Sequence, residues 1–134
     1  MNHRWLAIFL ISLAWWATPA ALAAQSAQEI NALEKTLAEA TVDSVKIATL
    51  NRLTHLNLQS NPEKARSYIE QALHLTKTLE YGENIPGITF SDRGAALFYL
   101  GWYYMQRSEY PEAVKCMHQA IELHERSGNL ERVG

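Results

Sequence analysis

One pattern occurs twice in this sequence, and the two copies are 48 residues apart. Each copy follows an apolar run, at 50–53 in the first and at 97–101 in the second. An internal repeat of this kind predicts an array of stacked helices rather than a single globular core, because each unit buries its apolar face against its neighbour. The corresponding positions are Ala65, Gln71, Ala72, Leu73 and Leu75 in the first copy, and Ala113, Gln119, Ala120, Ile121 and Leu123 in the second.

The first 23 residues have the layout of a secretory signal peptide. A short basic start is followed by an apolar stretch over 5–16, which a Thr-Pro pair at 18–19 interrupts. Small residues at Ala21 and Ala23 suit a signal peptidase, so we expect cleavage after Ala23, with Ala24 as a nearby alternative. The leader is bacterial in style, which predicts a periplasmic location. The competing interpretation is an uncleaved membrane anchor, since about 20 apolar residues can span a bilayer.

Without residues 1–23 the chain has 111 residues and a net charge of −3. This mild charge gives no electrostatic reason to expect nucleic acid or an anionic membrane as a partner. Cys116 is the only cysteine, so an intramolecular disulfide cannot form. Its position beside Met117 in a helical stretch predicts a buried packing role rather than a reactive thiol. No stretch after the leader is long and apolar enough to cross a membrane.

The remainder of the sequence favours helices throughout. Leu, Ala, Glu, Gln and Lys dominate, and alternating runs of β-branched residues are absent. Asn61 and Pro62 suit a helix cap and first position, and Gly128 suits a helix end. The predicted fold class is all-α, a helix-turn-helix repeat solenoid of about five helices after the signal peptide. The helices are expected at 27–39, from cap candidates at 41–44 to 59, at 62–79, from Ser91 or Asp92 to about 107, and from Pro111 to 127–129, with a loop at 81–87.

The second copy resembles a tetratricopeptide repeat. The apolar-Leu-Gly-Tyr series of its first helix and the small residues of its second helix occur in the order of that family. Gly101 and the small residues are expected to let the two helices approach closely, while the large residues fill the gaps between them. The residues that carry the resemblance are Leu97, Leu100, Gly101, Tyr104, Ala113 and Ala120, with Tyr110 as the turn aromatic.

The first copy matches the same pattern less fully. Leu50, Leu53, Ala65, Ile69 and Ala72 fit it, whereas a Thr and an Asn replace the Gly and the Tyr at 54 and 57. The 48-residue period exceeds the usual 34, and the excess falls at 79–92. An unrelated helical bundle with coincidental Ala spacing is the alternative. The predicted organisation is a packing helix and linker at 24–44, repeats at 45–80 and 94–127, a linker at 81–93, and the start of an incomplete repeat at 128–134.

The resemblance implies that the first helix of each repeat lines a concave groove. Extended or helical peptides bind such surfaces through amide hydrogen bonds and aromatic anchors. The Asn51 and Arg52 pair is similar to the amide-and-cation pairs with which some family members hold a peptide carboxylate. The aromatic residues have a second interpretation, packing under the 79–92 linker or against another copy of the protein. The candidate partner-binding residues are Asn51, Arg52, His55 and Gln59 in the first repeat, and Phe98, Tyr99, Trp102 and Gln106 in the second.

Enzymatic chemistry has no support in the sequence. Nucleophile-elbow, zinc-protease, phosphate-loop and paired-cysteine motifs are all absent. His118 and His124 lie about 240° apart around a helix, so they cannot share a metal. We therefore expect no enzyme activity, no cofactor and no metal.

The predicted function is a periplasmic scaffold that binds a protein or peptide. The alternative is the sensing portion of a larger membrane receptor, of the sensor kinase or diguanylate cyclase type. The last helix is expected to leave Val114, Met117 and Ile121 uncovered, and such an apolar face favours self-association or a partner. The sequence specifies neither the ligand nor the oligomeric state.

Overall fold

The computed structural model describes residues 4–77 and 89–133, with side chains at 19–77 and 89–128. These residues form five α-helices without a strand, which confirms the predicted all-α, tetratricopeptide-like repeat fold. The predicted loop at 81–87 and most of the predicted 79–92 linker lie outside the described residues. The helices are α1 (Arg4–Glu39), α2 (Asp43–Asn57), α3 (Pro62–Leu75), α4 (Phe90–Gln106) and α5 (Tyr110–Val133).

The chain divides after Ala32 into two units, and α1 contributes to both. In the first unit the described residues are all helical, and the helix continues through Pro19. Flanks rich in Ala and Leu favour helix strongly enough to offset the roughly 3 kcal/mol that an internal proline costs. Across the described residues, we find no helix that combines the length and the apolar character needed to cross a membrane.

Helices α2, α3 and α4 of the second unit begin in three different ways. The Asn61 side chain accepts a hydrogen bond from the Lys64 backbone N–H at 3.2 Å, and Pro62 occupies the first helical position, as predicted. The N-cap of α2 is Val42, and no side chain bonds the free N–H groups there, so the polar cap expected at 41–44 is not formed. The cap of α4 is Thr89 rather than the predicted Ser91 or Asp92.

Thr89 and Asp92 form a reciprocal capping box. The Asp92 backbone N–H donates to Thr89 Oγ1 at 3.3 Å, and the Thr89 backbone N–H donates to Asp92 Oδ2 at 2.7 Å. Asp92 is the third residue of the helix, and its carboxylate accepts the hydrogen bond of the N-cap residue. This role explains why α4 begins one to two residues before the predicted start.

Two helix ends differ from the predicted ends. Helix α3 ends at Leu75, where the Thr76 backbone N–H bonds back to the carbonyl of Ala72, and not near residue 79. Helix α5 continues through Gly128 to Val133, so the helix end predicted at 127–129 is not observed. A glycine inside a helix costs only about 1 kcal/mol, which the flanking helix-favouring sequence offsets.

Close helix contact at glycine holds the α4–α5 hairpin together. A Cβ atom at Gly101 would lie 2.9 Å from Met117 Cγ and 3.2 Å from the Ala113 carbonyl oxygen. Gly94 lies similarly close to His124 and to the Ala120 carbonyl oxygen. The predicted close approach at Gly101 is confirmed, and Met117, predicted to be uncovered, packs here against α4.

In the first repeat, two polar residues replace the Gly and the Tyr of the repeat pattern, at 54 and 57, and both are buried. Thr54 is fully buried, and its hydroxyl donates to the Leu50 carbonyl at 2.8 Å. Asn57 is buried as well, and its amide donates to the Leu53 carbonyl at 2.8 Å. Because each group bonds to its own helix, these polar side chains lie between helices without an unpaired donor.

The two repeats are joined by a buried cation. Arg93 of α4 is 7% exposed, and its Nη1 donates to the Leu73 carbonyl at 3.0 Å and to Thr76 Oγ1 at 3.1 Å. A guanidinium at this point satisfies the Leu73 carbonyl near the end of α3 and complements the negative end of that helix. The second repeat is thereby fixed to the end of the first.

The last turns of α1 are tied to α3 by a polar cluster. Tyr68 donates to Glu34 Oε1 at 2.7 Å, and Lys64 forms an ion pair with the same carboxylate. The hydrogen bonds from Lys64 and Tyr68 hold the pKa of Glu34 below its ordinary value. This cluster anchors residues 33–39 beside the first repeat.

Candidate binding surface

The first helices of the two repeats, α2 and α4, lie side by side and present one surface. Asn51 Nδ2 donates to the Asp92 carbonyl at 3.4 Å, and the rings of His55 and Tyr99 are 6.0 Å apart between centroids. The predicted groove residues of both repeats therefore belong to neighbouring helices. We call this surface the α2–α4 face.

On α2 the exposed side chains follow one stripe along the helix axis. Arg52, His55 and Gln59 recur at intervals of three and four residues, and all three are exposed. Val45 and Ala48 extend the stripe toward the start of the helix and are also exposed, although the sequence analysis did not include them. The same three-and-four spacing, followed upstream, would have identified them.

Asn51 differs from the other predicted α2 residues because it is half-buried between the helices. Its amide N–H reaches α4, while its Oδ1 atom is buried and has no hydrogen-bond partner among the described residues. Asn51 therefore connects the two repeats by a hydrogen bond from α2 to α4. A partner on this face would contact Arg52 and His55 before Asn51.

On α4 the exposed side chains of this face include two aromatic rings. Phe98 is 48% exposed and Trp102 is 37% exposed, whereas Tyr99 is half-buried between Phe98 and His55. Two large apolar groups thus remain in contact with solvent. Met105, which the sequence analysis did not assign to the surface, is 41% exposed one turn further along.

The indole of Trp102 is held by a hydrogen bond. With the Gln106 amide oriented to satisfy both neighbours, its oxygen accepts from Trp102 Nε1 at 3.1 Å, and its nitrogen donates to the Leu58 carbonyl at 3.3 Å. Gln106 therefore links α4 to the end of α2 and fixes the orientation of the ring. A fixed aromatic ring loses little conformational entropy when a partner binds it.

The formal charge on this face comes from α2. Arg52 is the charged residue of the α2 stripe, and the α4 stripe formed by Phe98, Trp102 and Gln106 is neutral. Neither stripe contains an exposed Asp or Glu. The face thus combines a cation and polar side chains on α2 with apolar anchors on α4.

A second concavity lies between the end of α1, α2 and α3. It has a volume of about 570 Å³ and a mixed polar and apolar lining. Two of its charged groups pair with residues of their own helices, Lys46 with Asp43 at 3.2 Å and Glu70 with Arg66 at 2.8 Å. The sequence does not predict this cleft, because its shape depends on how the last turns of α1 pack beside α2 and α3. Its lining residues are Leu37, Lys46, Leu50, Ser67, Glu70, Gln71, His74 and Leu75.

Comparison with known proteins assigns the second hairpin. Residues 94–127 match the family model of the tetratricopeptide repeat. A search of curated proteins and a search of solved structures each found no match. The matched segment covers most of α4 and of α5, which confirms the resemblance predicted for the second copy. Tetratricopeptide repeats generally mediate protein–protein interactions and are generally not catalytic.

Proposed function

We propose that the chain is a non-enzymatic periplasmic scaffold that binds a protein or peptide partner through the α2–α4 face. The observation that carries the proposal is the exposure of Phe98 and Trp102 on a repeat of a protein-interaction family. Exposed aromatic rings beside satisfied polar groups are typical of binding hot spots. The periplasmic location rests on the signal-peptide pattern of residues 1–23.

The chemistry of the face indicates the kind of segment that fits it. An apolar side chain of the partner would pack against Trp102 and Phe98, and backbone or carboxylate oxygens would accept hydrogen bonds from Arg52 and His55. A basic segment would be disfavoured because the α2 stripe carries the positive charge of Arg52 and contains no Asp or Glu. The proposed partner therefore presents an acidic or neutral segment with a large apolar residue.

The test is capture of a discrete partner from a periplasmic extract of the native host. The tagged wild-type chain is compared with a double variant, Tyr99→Ala with Trp102→Ala, which removes the exposed Trp102 anchor and the ring that packs against the second anchor, Phe98. We expect the wild-type chain to retain a stoichiometric partner and the double variant to lose it, since removing aromatic hot spots typically costs at least 2 kcal/mol each, or more than about 30-fold in affinity.

The matched control is Glu112→Ala with Gln119→Ala, two exposed positions on α5 away from the α2–α4 face. This variant should capture the partner as the wild type does. Equal capture by the Tyr99 and Trp102 double variant would overturn the face as the binding site. Recovery of the chain from the cytoplasm with residues 1–23 intact would overturn the periplasmic location.

A further inference from the structure

The side-chain amide of Gln106 joins the exposed Trp102 ring to the end of the neighbouring repeat. Its oxygen accepts from Trp102 Nε1 at 3.1 Å, and its nitrogen donates to the Leu58 carbonyl at 3.3 Å. Because both hydrogen bonds are made by one planar group, a rotation of the amide that breaks one of them also disturbs the other. The orientation of the amide is therefore set from α2 as well as from α4.

The Leu58 carbonyl is held beside α4 by the packing of the two repeats. Leu58 follows the last residue of α2, where backbone carbonyls lack partners within the helix. Its side chain is 7% exposed and belongs to a core cluster with Ala65 of α3 and Tyr103 of α4. Separation of the repeats would move this carbonyl away from α4, and the Gln106 amide would lose its second partner.

We infer that Gln106 is a positioning residue, which orders the Trp102 ring only while the end of α2 is packed against α4. The sequence pattern predicts Gln106 as a partner contact, whereas both of its hydrogen bonds are made within the protein.

The consequence for binding rests on the proposed function. A partner that uses Trp102 as an anchor contacts an ordered ring while the repeats are packed, and it would have to order the ring itself after they separate. Binding at Trp102 therefore favours the packed arrangement of the repeats, since a ligand stabilises the state that it binds more tightly.

The first measurement is the NMR signal of the Trp102 indole N–H in the full chain without a partner. The chain has four tryptophans, and the signal that is lost in Trp102→Phe belongs to Trp102. Gln106→Met keeps a long side chain but removes both hydrogen bonds, because a thioether cannot donate and accepts only weakly. We expect this indole N–H to exchange with water roughly two- to twelvefold faster than in the wild type, the factor for one typical hydrogen bond.

Gln106→Glu separates the two hydrogen bonds. An ionised carboxylate can accept from the indole but cannot donate to the Leu58 carbonyl, whereas a neutral carboxyl group can do both, as the amide does. The Trp102 signal should therefore resemble that of Gln106→Met at pH 7. It should return toward the wild-type signal below the ordinary glutamate pKa of about 4.3, with the wild type at each pH as the reference.

The second measurement is the affinity of Gln106→Met for the partner that the wild-type chain captures in the test of the proposed function. We expect Kd to rise roughly two- to twelvefold, because the partner must then immobilise the ring. The matched control is Gln119→Met, the same change at an exposed position of α5, which should alter neither Kd nor the Trp102 signal.

Three outcomes would overturn the inference. They are a Trp102 signal that is the same in Gln106→Met as in the wild type, a Gln106→Glu signal that matches the wild type at pH 7, and an unchanged Kd in Gln106→Met. Failure of the wild-type chain to capture any partner would instead overturn the proposed function. The two failures are separate results, because the NMR measurements need no partner.

Discussion

At Gly101 the absence of a side chain sets the distance between α4 and α5. A Cβ would lie closer than normal contact distance to both Met117 and the Ala113 carbonyl oxygen. The corresponding position in the first repeat, Thr54, has a full side chain and is nonetheless completely buried. It tolerates burial because its hydroxyl bonds to Leu50 of its own helix. The same place in the repeat is thus filled in two chemically different ways.

Glycine-to-alanine substitutions at two helical positions should have opposite effects. We expect Gly101→Ala to destabilise the protein by about 1–2 kcal/mol, because crowding of Met117 and Ala113 outweighs the roughly 1 kcal/mol gained in helix propensity. A Cβ at Gly128 would meet no atom within 4 Å, so Gly128→Ala should stabilise by about 0.5–1 kcal/mol. Urea denaturation measures both changes.

A combined variant shows whether the effect comes from the contact itself. Met117→Ala costs stability alone, but it removes the atom closest to the added methyl group at Gly101. The cost of Gly101→Ala should therefore be smaller in the Met117→Ala background. An equal cost in both backgrounds would contradict the crowding explanation.

At the scale of the helix, the starts of α2, α3 and α4 differ in how the free N–H groups are satisfied. Helix α3 uses an Asn cap and a proline, and α4 uses a reciprocal capping box. Helix α2 begins at Val42, whose extended backbone (φ −100°, ψ 126°) suits a cap but whose side chain cannot accept a hydrogen bond. The start of α2 is therefore the least stabilised of the three.

Replacing Val42 by serine should stabilise the protein. Val42 is 55% exposed, so little apolar burial is lost, and a serine hydroxyl can accept a hydrogen bond from the first turn. We expect a gain of about 0.5–1 kcal/mol in urea denaturation. The matched control is Thr89→Ala, which removes an existing cap and should cost about 1 kcal/mol. A loss of stability in Val42→Ser would show that the valine has a packing role.

At the scale of the whole molecule, the repeats are coupled by side chains that cross from one hairpin to the next. Arg93 reaches the end of α3, and Tyr103 donates to Glu63 Oε1 at 3.0 Å at the opposite end of the same interface. Arg66 lies over the rings of Tyr103 and Tyr104, at 5.2 and 5.5 Å from their centroids. In repeat proteins, the strength of such interfaces decides whether the repeats unfold together.

Removing the buried guanidinium should weaken the coupling of the two repeats. We expect Arg93→Met to cost about 2–4 kcal/mol, because the Leu73 carbonyl and the Thr76 hydroxyl lose a charged donor in a buried place. Urea denaturation should also show a lower m-value if the repeats no longer unfold together. The control is Arg126→Met, an exposed arginine 4.5 Å from the Phe90 ring centroid, which should cost less than about 1 kcal/mol. Equal losses in both variants would contradict a special role for Arg93.

The sequence predicted the parts of the fold that depend on local pattern. Helical spacing and the Asn61-Pro62 start needed only neighbouring residues, and the contact at Gly101 followed from a repeat motif. The burial of Arg93 was not predicted, because a charge is buried only where another helix end supplies carbonyl groups. The position of Asn51 depends in the same way on the distance between the repeats. For the α2–α4 face, the sequence indicated which residues lie on it, but not that Gln106 holds Trp102.

Because the Cys116 thiol is buried, its rate of chemical labelling measures how often α5 separates from the helices packed against it. Burial disfavours the thiolate and raises the pKa of Cys116, and the side chain is only 8% exposed. A thiol-specific reagent can therefore react only when α5 moves away from its neighbours. Since the chain has no other cysteine, the labelling rate divided by that of an unfolded chain gives the fraction of time for which this hairpin is open.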